Sequence, residues 1–563
     1  MEKLNIAIIF LLLLFSFDGN SRVYAQKTDF PVPQWTAGDL LDAQGGVSIL
    51  QPGSFGAGQF PYRTMIPPVS FDVRLNGAPL PAFSPFGPNM ERLPIGFTDS
   101  ITVISNQTIR LASLDSIPEN PITRIGFLSG ERRRYRFHGT FNRKITGRSA
   151  IFIGGAADGI RGNALIQGSA SRLYSFKYIY FLENGGMLKT EAGGGRDRSD
   201  VYDLAASAGM GSHRIDNTFL SSGLERYPLS PNVLFSSLLY YRNGDGRLQR
   251  YGTGMGFIDD SFGAAGRLEI QRNGMTYCID LTNDARFFDN RTGKTGWSDN
   301  ITGFYSSVAW KSPRIRLSIG GGGRYSTEYG LGAAAEGEIS IPVLHEANFV
   351  ARGMFTHRFP GPEHLFYPSM AYSDTLGVSE LDKHRISELE TGFQNRRGNV
   401  EYGVYGFTAF ANVPRFIPIP ASMLMTGDEL YGGGRIKLGI VGMRSFRYEA
   451  EARLEYTGGS SMISIWPRPV FRAEAKGNLS RIFFHGNLHS AAFGRILMEH
   501  RAASPVSPDG GNVFLEGGIS AKISSLILYY QVENITGAGM RWFGVYSVQG
   551  RNSVWGVRWN LHN

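Results

Sequence analysis

Residues able to do chemistry are few here, and their spacing argues against catalysis. His489 and Ser490 stand side by side in HGNLHSAAFG, a pairing that would suit a hydrolase nucleophile and its base. Neighbours on an extended strand point to opposite faces, so the imidazole would not reach the hydroxyl. Cys278, in YCID, is the only cysteine; it excludes an internal disulfide and reads as a packing residue. His364 sits in a loop-like PGPEHLFYP run, and Asp259, Asp260 and Glu131 with Arg132, Arg133 and Arg134 read as water-facing rim residues. Gly154 in GGAADGIRG and Gly254 in GTGMGF belong to glycine clusters with no helix behind them to cradle a phosphate, so close strand packing explains them. There is no HExxH, paired CxxC or P-loop. The chain is therefore not expected to be an enzyme; no catalytic, metal or cofactor residue is assigned, and ligand-contacting residues stay unknown.

The elements around these residues carry a different message. From Phe446 to Tyr456 the sequence FRYEAEARLEY puts Phe446, Tyr448, Ala450, Ala452, Leu454 and Tyr456 on one side of a strand. Arg447, Glu449, Glu451, Arg453 and Glu455 fall on the other, since strand side chains alternate with a period of two. The pattern recurs. Tyr135, Phe137, Gly139 and Phe141 alternate with Arg134, Arg136, His138 and Thr140, and Trp555, Val557, Trp559 and Leu561 alternate with Gly556, Arg558 and Asn560. Ile315, Leu317 and Ile319 alternate likewise with Arg314, Arg316 and Ser318. Turn signals separate such runs: Asn184-Gly185-Gly186, Asn243-Gly244-Asp245-Gly246, Asn273-Gly274, Gly458-Gly459 and Asp509-Gly510-Gly511. Glycine (72 of 563), Phe (38) and Tyr (25) are abundant, which with few helical periodicities reads as all-β.

One oily face and one charged face, repeated without helical crossovers, specifies a transmembrane antiparallel β-barrel, because a sheet in lipid must close on itself. About 20–22 strands fit between residues 131 and 563. The N-terminus reads as a signal peptide over residues 1–25: Lys3, an apolar run from Ile6 to Phe17, then Val23-Tyr24-Ala25 before Gln26. No later segment approaches the roughly 20 apolar residues of a membrane helix. Residues 26–130 differ from the rest, being rich in proline, with a helix expected over 36–43 (Thr36 as N-cap, Asp39 in the first turn) and short strands near 70–75 and 100–104. A wide barrel calls for such a small domain as a plug. The net charge of +9 fits contact with acidic polysaccharide or lipopolysaccharide, or a solvated basic lumen; nucleic acid is not expected in an exported protein.

At this point the residues resemble a family. TAGDLLDAQGGVSILQPGSFGAGQF (36–60), VRLNGAPL (73–80) and ERLPIGFTDSITVI (91–104) are similar to the plug of TonB-dependent outer-membrane receptors. FTHRFPGPEHLFYP (355–368) and HRISELETGFQ (384–394) resemble mid-barrel motifs. Val532-Glu533-Asn534-Ile535-Thr536, then Gly550-Arg551 and Trp555-Gly556-Val557-Arg558-Trp559, resemble the closing strands. The resemblance implies a cell outer-membrane receptor or transporter taking up a small ligand, with lipid, lipopolysaccharide and a TonB-type energy-coupling protein as partners. Residues 26–35 carry no TonB-box-like segment, which keeps open a passive or partly plugged porin-like channel; an outer-membrane enzyme or adhesion barrel is a third alternative.

Overall fold

The computed structural model describes residues 36–44, 48–50, 60–62, 72–75, 78–80, 90, 93, 100–105, 108–112, 120–160, 169–202, 210–250, 253–291, 295–312, 315–344, 347–359, 383–417, 423–443, 446–459, 469–501, 510–537, 541–542, 546–547 and 550–562. The expected signal peptide and His364 lie outside them.

Twenty-two strands hydrogen-bond in one closed antiparallel ring. All but the closing pair are sequence neighbours, as a meander requires. The ring closes where Ile122–Gly130 pairs with the final strand, Asn552–His562, with Val554 opposite Gly130 and Trp559 opposite Ile125. The barrel thus begins at Ile122, inside the segment that the sequence assigned to the N-terminal domain. ITRIGFLSG lacks a charged face, so it does not read as an amphipathic strand. The two ends of the barrel chain lie at the rim of tight turns, such as Asn273-Gly274, whose positive φ values (52° and 76°) are those of a two-residue hairpin. Longer connections gather at the opposite rim, between Ile160 and Ser169 and between Tyr202 and Met210.

Three of the expected turns fall on strand instead, among them Gly510-Gly511, which opens Gly510–Ile523 paired with Arg501 and His500, Asp509 lying outside the described residues. Asn243 to Gly246 runs through the middle of Val233–Arg250, and Gly458-Gly459 ends Arg447–Gly459 still paired with Gly432 and Tyr431. At Gly246 the ring of Phe257 on the neighbouring strand takes the space a side chain would need, a methyl there lying 2.0 Å from it. Glycine at that position accommodates a close aromatic neighbour rather than a reversal of the chain.

The faces are inverted relative to a water-soluble sheet. On Tyr135–Thr146, Tyr135 and Phe137 are exposed, while Arg136, His138 and Thr140 are buried, as is Arg134 just ahead of the strand. On Arg447–Gly459, Tyr448, Leu454 and Tyr456 are exposed and Arg453 and Glu455 buried. Trp555 and Trp559 face outward from the last strand. Exposed aromatic and aliphatic side chains of this kind recur around the whole cylinder. Water penalises an apolar exterior of that extent, at roughly 25 cal/mol per Å², whereas hydrocarbon does not. The fold is therefore a transmembrane β-barrel, with oil outside and polar groups inside.

Ahead of the barrel stands a small mixed unit. Its helix α1, Ala37–Gln44, opens on a reciprocal cap: Asp39 N–H donates to Thr36 Oγ1 (3.0 Å), and Thr36 N–H donates to Asp39 Oδ2 (3.1 Å). Four strands form its sheet: β1 (Asp72–Leu75), β2 (Ala78–Pro79), β3 (Ser100–Ser105) and β4 (Thr108–Ala112). β1 lies between β2 and β4 and runs parallel to β4. Ala37, Leu41, Val73, Met90, Leu93, Ile109 and Leu111 make a dry core between helix and sheet. The capped helix and the strands β1 and β3 stand where the sequence puts them; β4 was not foreseen, because TIRLA is too short for its period to show.

Candidate functional site

The inner wall of the barrel and the sheet face against it form the candidate site. Lumen-facing polar side chains are buried on every side of the ring, among them Arg136, Lys177, Asp259, Asp284, Glu390 and Glu474, each 5% exposed or less. A cylinder of 22 strands has a bore wide enough to keep its inner wall wet if it stands empty. Neighbouring wall side chains cover several of these charges, Arg242 over Asp259 and Arg435 over Glu390 among them, and the N-terminal unit reaches Asp284.

Two contacts join the N-terminal unit to the inner wall. Leu173, a lumen-facing residue of Ser169–Phe181, packs on the core of the unit. Arg74 of β1 extends to the wall strand Met275–Asn290, where its Nη2 lies 3.2 Å from Asp284 Oδ2. Tyr240, from Val233–Arg250, donates its hydroxyl to Asp284 Oδ1. Arg74, Asp284 and Tyr240 are all buried, so the carboxylate is held from both sides in a place that water reaches poorly. Nothing local to LTNDARFF marked Asp284 as special; its role arises from a partner far away in sequence.

A second group of charges runs along the wall away from this contact. Glu338 accepts from Arg352 (2.5 Å), and Glu390 accepts from Arg435 (2.6 Å), which also lies over the Tyr405 ring at 4.9 Å. Glu474 meets Arg495 at 2.7 Å, Lys476 at 3.1 Å and Arg472 at 3.5 Å, and Arg495 continues to Glu516 at 3.7 Å. Glu338–Arg352, Glu390–Arg435, Glu474–Arg495 and Arg495–Glu516 join neighbouring or next-neighbouring strands and tie the wall together, while Lys476 and Arg472 meet Glu474 from its own strand, Pro469–Phe483. Such buried pairs fix side-chain positions more than they add stability, because desolvation offsets much of their attraction.

The sequence-selected residues distribute as follows. His489 and Ser490 occupy consecutive positions of Leu488–Arg501 and so face opposite ways. Asp259 is not at a wet rim: it is buried in the lumen against Arg242, at 2.5 Å. Asp260 points outward and accepts from Asn243 Nδ2. Glu131 and Arg133 are exposed on the 3-10 turn Glu131–Arg133, but Arg134 is buried and bound to Glu533 (2.6 Å). Asp259 lies well inside the 20-residue strand Thr253–Arg272 rather than at its end, and Arg134 is held by the carboxylate of Glu533. Cys278 is buried in the wall and accepts from Arg267 Nη2 at 3.1 Å. Gly154 and Gly254 lie on strands. Among the described residues no cluster of three or more His, Cys, Asp or Glu could hold a metal ion.

No protein-family model matches the sequence, and no curated protein matches it either. Solved structures do match in fold over nearly the full length. The copper transporter OprC is 13% identical with a TM-score of 0.78, covering 97% of this chain and 99% of that one. The siderophore receptor PirA from Pseudomonas aeruginosa is 12% identical with a TM-score of 0.72, covering 96% and 99%. The FrpB iron transporter from Neisseria meningitidis (F3-3 variant) is 11% identical with a TM-score of 0.72, covering 97% and 100%. The fold is that of TonB-dependent receptors, as the sequence motifs implied.

Proposed function

We propose that this chain is an outer-membrane receptor that admits a small ligand through a plugged barrel, with residues 26–121 as the plug. The observation that supports the reading is the Arg74–Asp284 contact together with Leu173 packed on the core of the N-terminal unit: such a domain, seated inside a lipid-facing cylinder, would block diffusion. Export through the expected signal peptide and the oil-facing exterior support the outer membrane as its location. The fold neighbours are a copper transporter, a siderophore receptor and an iron transporter, which supports a scarce metal or its chelate as the ligand class. Movement of the plug then requires work from outside the barrel, for which a TonB-type energy-coupling protein is the expected partner. The lack of a TonB-box-like segment in residues 26–35 favours the second reading, a plugged channel without that partner.

The test is single-channel conductance of the purified protein in planar bilayers, with and without residues 26–119. A shortened deletion of this kind spares the barrel strand Ile122–Gly130. A large rise in conductance on deletion is the expected result; unchanged conductance overturns the plug. Capture of a TonB C-terminal domain by the full chain, against none by the deletion, separates the coupled from the uncoupled reading.

A further inference from the structure

On the outer surface of the barrel, toward the rim of long connections, the lipid-facing side chains give way to a field of arginines. Tyr174 and Phe176 of Ser169–Phe181, Leu220 of Met210–Ser230, and Leu239 and Tyr241 of Val233–Arg250 all face outward and are exposed. Moving along the same outward face toward the long-connection rim, the side chains become Arg172; Arg196 and Arg198 on Met187–Tyr202; Asp216 and Arg214; and Asp245 and Arg247. The parity of the strands is unbroken, so these arginines point away from the lumen. At a rise of about 3.3 Å per residue and a tilt near 40°, they stand roughly 5–15 Å above the last outward aromatics. That is the level of lipid headgroups and the sugars attached to them.

Register makes the arrangement costly on its own. Arg172 lies directly opposite Arg196. Arg198 lies opposite Arg214, and Arg214 opposite Arg247, so that like charges stand side by side across adjacent strands. Such pairs repel. The acids between them are already committed: Asp216 is shared by Arg196 (2.6 Å) and Arg214 (2.8 Å), and Asp245 meets Arg291 at 3.4 Å. Arg172, Arg198 and Arg247 are exposed and have no carboxylate within 4.0 Å among the described residues. A soluble anion on its way to the lumen would not pass over this outer face. An amphiphile already in the membrane would, with its acyl chains along Phe176, Leu220 and Leu239 and its phosphates among the guanidiniums, whose planar forks suit phosphate oxygens.

We infer that Arg172, Arg196, Arg198, Arg214 and Arg247 form a docking site for the phosphorylated saccharide headgroup of an outer-leaflet glycolipid, lipopolysaccharide. The site rests on the membrane-spanning reading of the barrel and fixes which rim faces the cell exterior. It accounts for the repulsive register, and it places the binding partner outside the lumen, where it holds the barrel at a set height without obstructing the ligand path.

Binding of purified lipopolysaccharide to the full chain in nanodiscs tests this, measured by the number of glycolipids retained in native mass spectrometry and by titration. Replacement of Arg198, Arg214 and Arg247 together by Gln is expected to weaken binding by at least about tenfold, while replacement of the same residues by Lys retains most of it. Lipopolysaccharide stripped of phosphate is expected to bind the wild type as weakly as the intact glycolipid binds the Gln variant. Equal binding by the Gln variant, equal binding of the stripped glycolipid, displacement by millimolar inorganic phosphate, or equally strong retention of phosphatidylglycerol would each overturn the site. Insertion into lipid vesicles is scored on the same samples. Failure of the wild type to insert would remove the membrane reading itself, whereas normal insertion with undiminished binding by the Gln variant would remove only the site.

Discussion

Arg74 of the N-terminal sheet and Asp284 of the barrel wall lie 3.2 Å apart with both side chains buried, joining two parts of the chain that share no backbone hydrogen-bond ladder among the described residues. Removing one member of a buried ion pair strands the other in a poorly solvated place, at a cost of ~3–5 kcal/mol. Arg74→Ala is therefore expected to loosen the domain within the barrel. Limited proteolysis of the purified protein should show faster cleavage ahead of Ile122, and bilayer recordings should show more frequent openings. Replacing the whole group by apolar residues, Arg74→Met with Asp284→Leu and Tyr240→Phe so that no buried hydroxyl is stranded, should restore most of the protection; cleavage as fast as in the single variant would show that the pair is not what holds the domain.

The two faces of Arg447–Gly459 should respond oppositely to charge. Leu454 faces lipid and Arg453 the lumen. Leu454→Arg should destabilise the folded barrel in bilayers by ~2–4 kcal/mol if the site lies near the midplane. The conservative lumen change Glu451→Gln should shift it far less. Urea unfolding in lipid vesicles reads the difference, and equal shifts would contradict the assignment of faces.

At the closing seam, Gly556 lies beneath Tyr529. A methyl group there would sit 1.7 Å from the Tyr529 hydroxyl oxygen and 2.6 Å from the backbone oxygen of Phe127. Gly556→Ala should cost ~1–3 kcal/mol by overpacking. Because a backbone atom shares in the clash, Tyr529→Ala in the same chain should relieve only part of that loss. Heat-modifiable gel mobility, which separates closed from open barrels, is the measurement.

Glu474 holds several cations at once. Glu474→Ala should free Arg495 and Arg472 from their shared acceptor and weaken the wall between Pro469–Phe483 and Leu488–Arg501. Glu474→Gln, which keeps a hydrogen-bond acceptor, should lose about half as much stability or less. Denaturant midpoints of the variants in detergent decide the order.

Much of the barrel was legible because its physics is local. The alternation at Phe446 to Tyr456 names both the lipid face and the lumen face, and Asn273-Gly274 names its own turn. Asn243 to Gly246 misled because glycine beside asparagine signals a reversal as readily as it admits a close ring, and only the neighbouring strand, through Phe257, shows which applies. Ile122–Gly130 was missed as a wall strand because its inner face is nearly uncharged, Arg124 being the exception. The Arg74–Asp284–Tyr240 contact had no signal at all, since its members come from separate elements and meet only in three dimensions. The outward arginines could have been found: Arg196 and Arg198 share parity with Leu188, and the change from oil to charge along one face marks where the membrane ends.

The pairing of Gly130 with Val554 has a consequence for how the protein is made. Synthesis delivers Ile122–Gly130 ahead of the other wall strands and Asn552–His562 after them, so until then the growing sheet carries two unsatisfied borders. Exposed strand borders recruit other chains. A cell that makes this protein must keep the polypeptide from finding strangers until Asn552–His562 arrives, and a stop codon anywhere ahead of that strand leaves a ribbon that never becomes a tube.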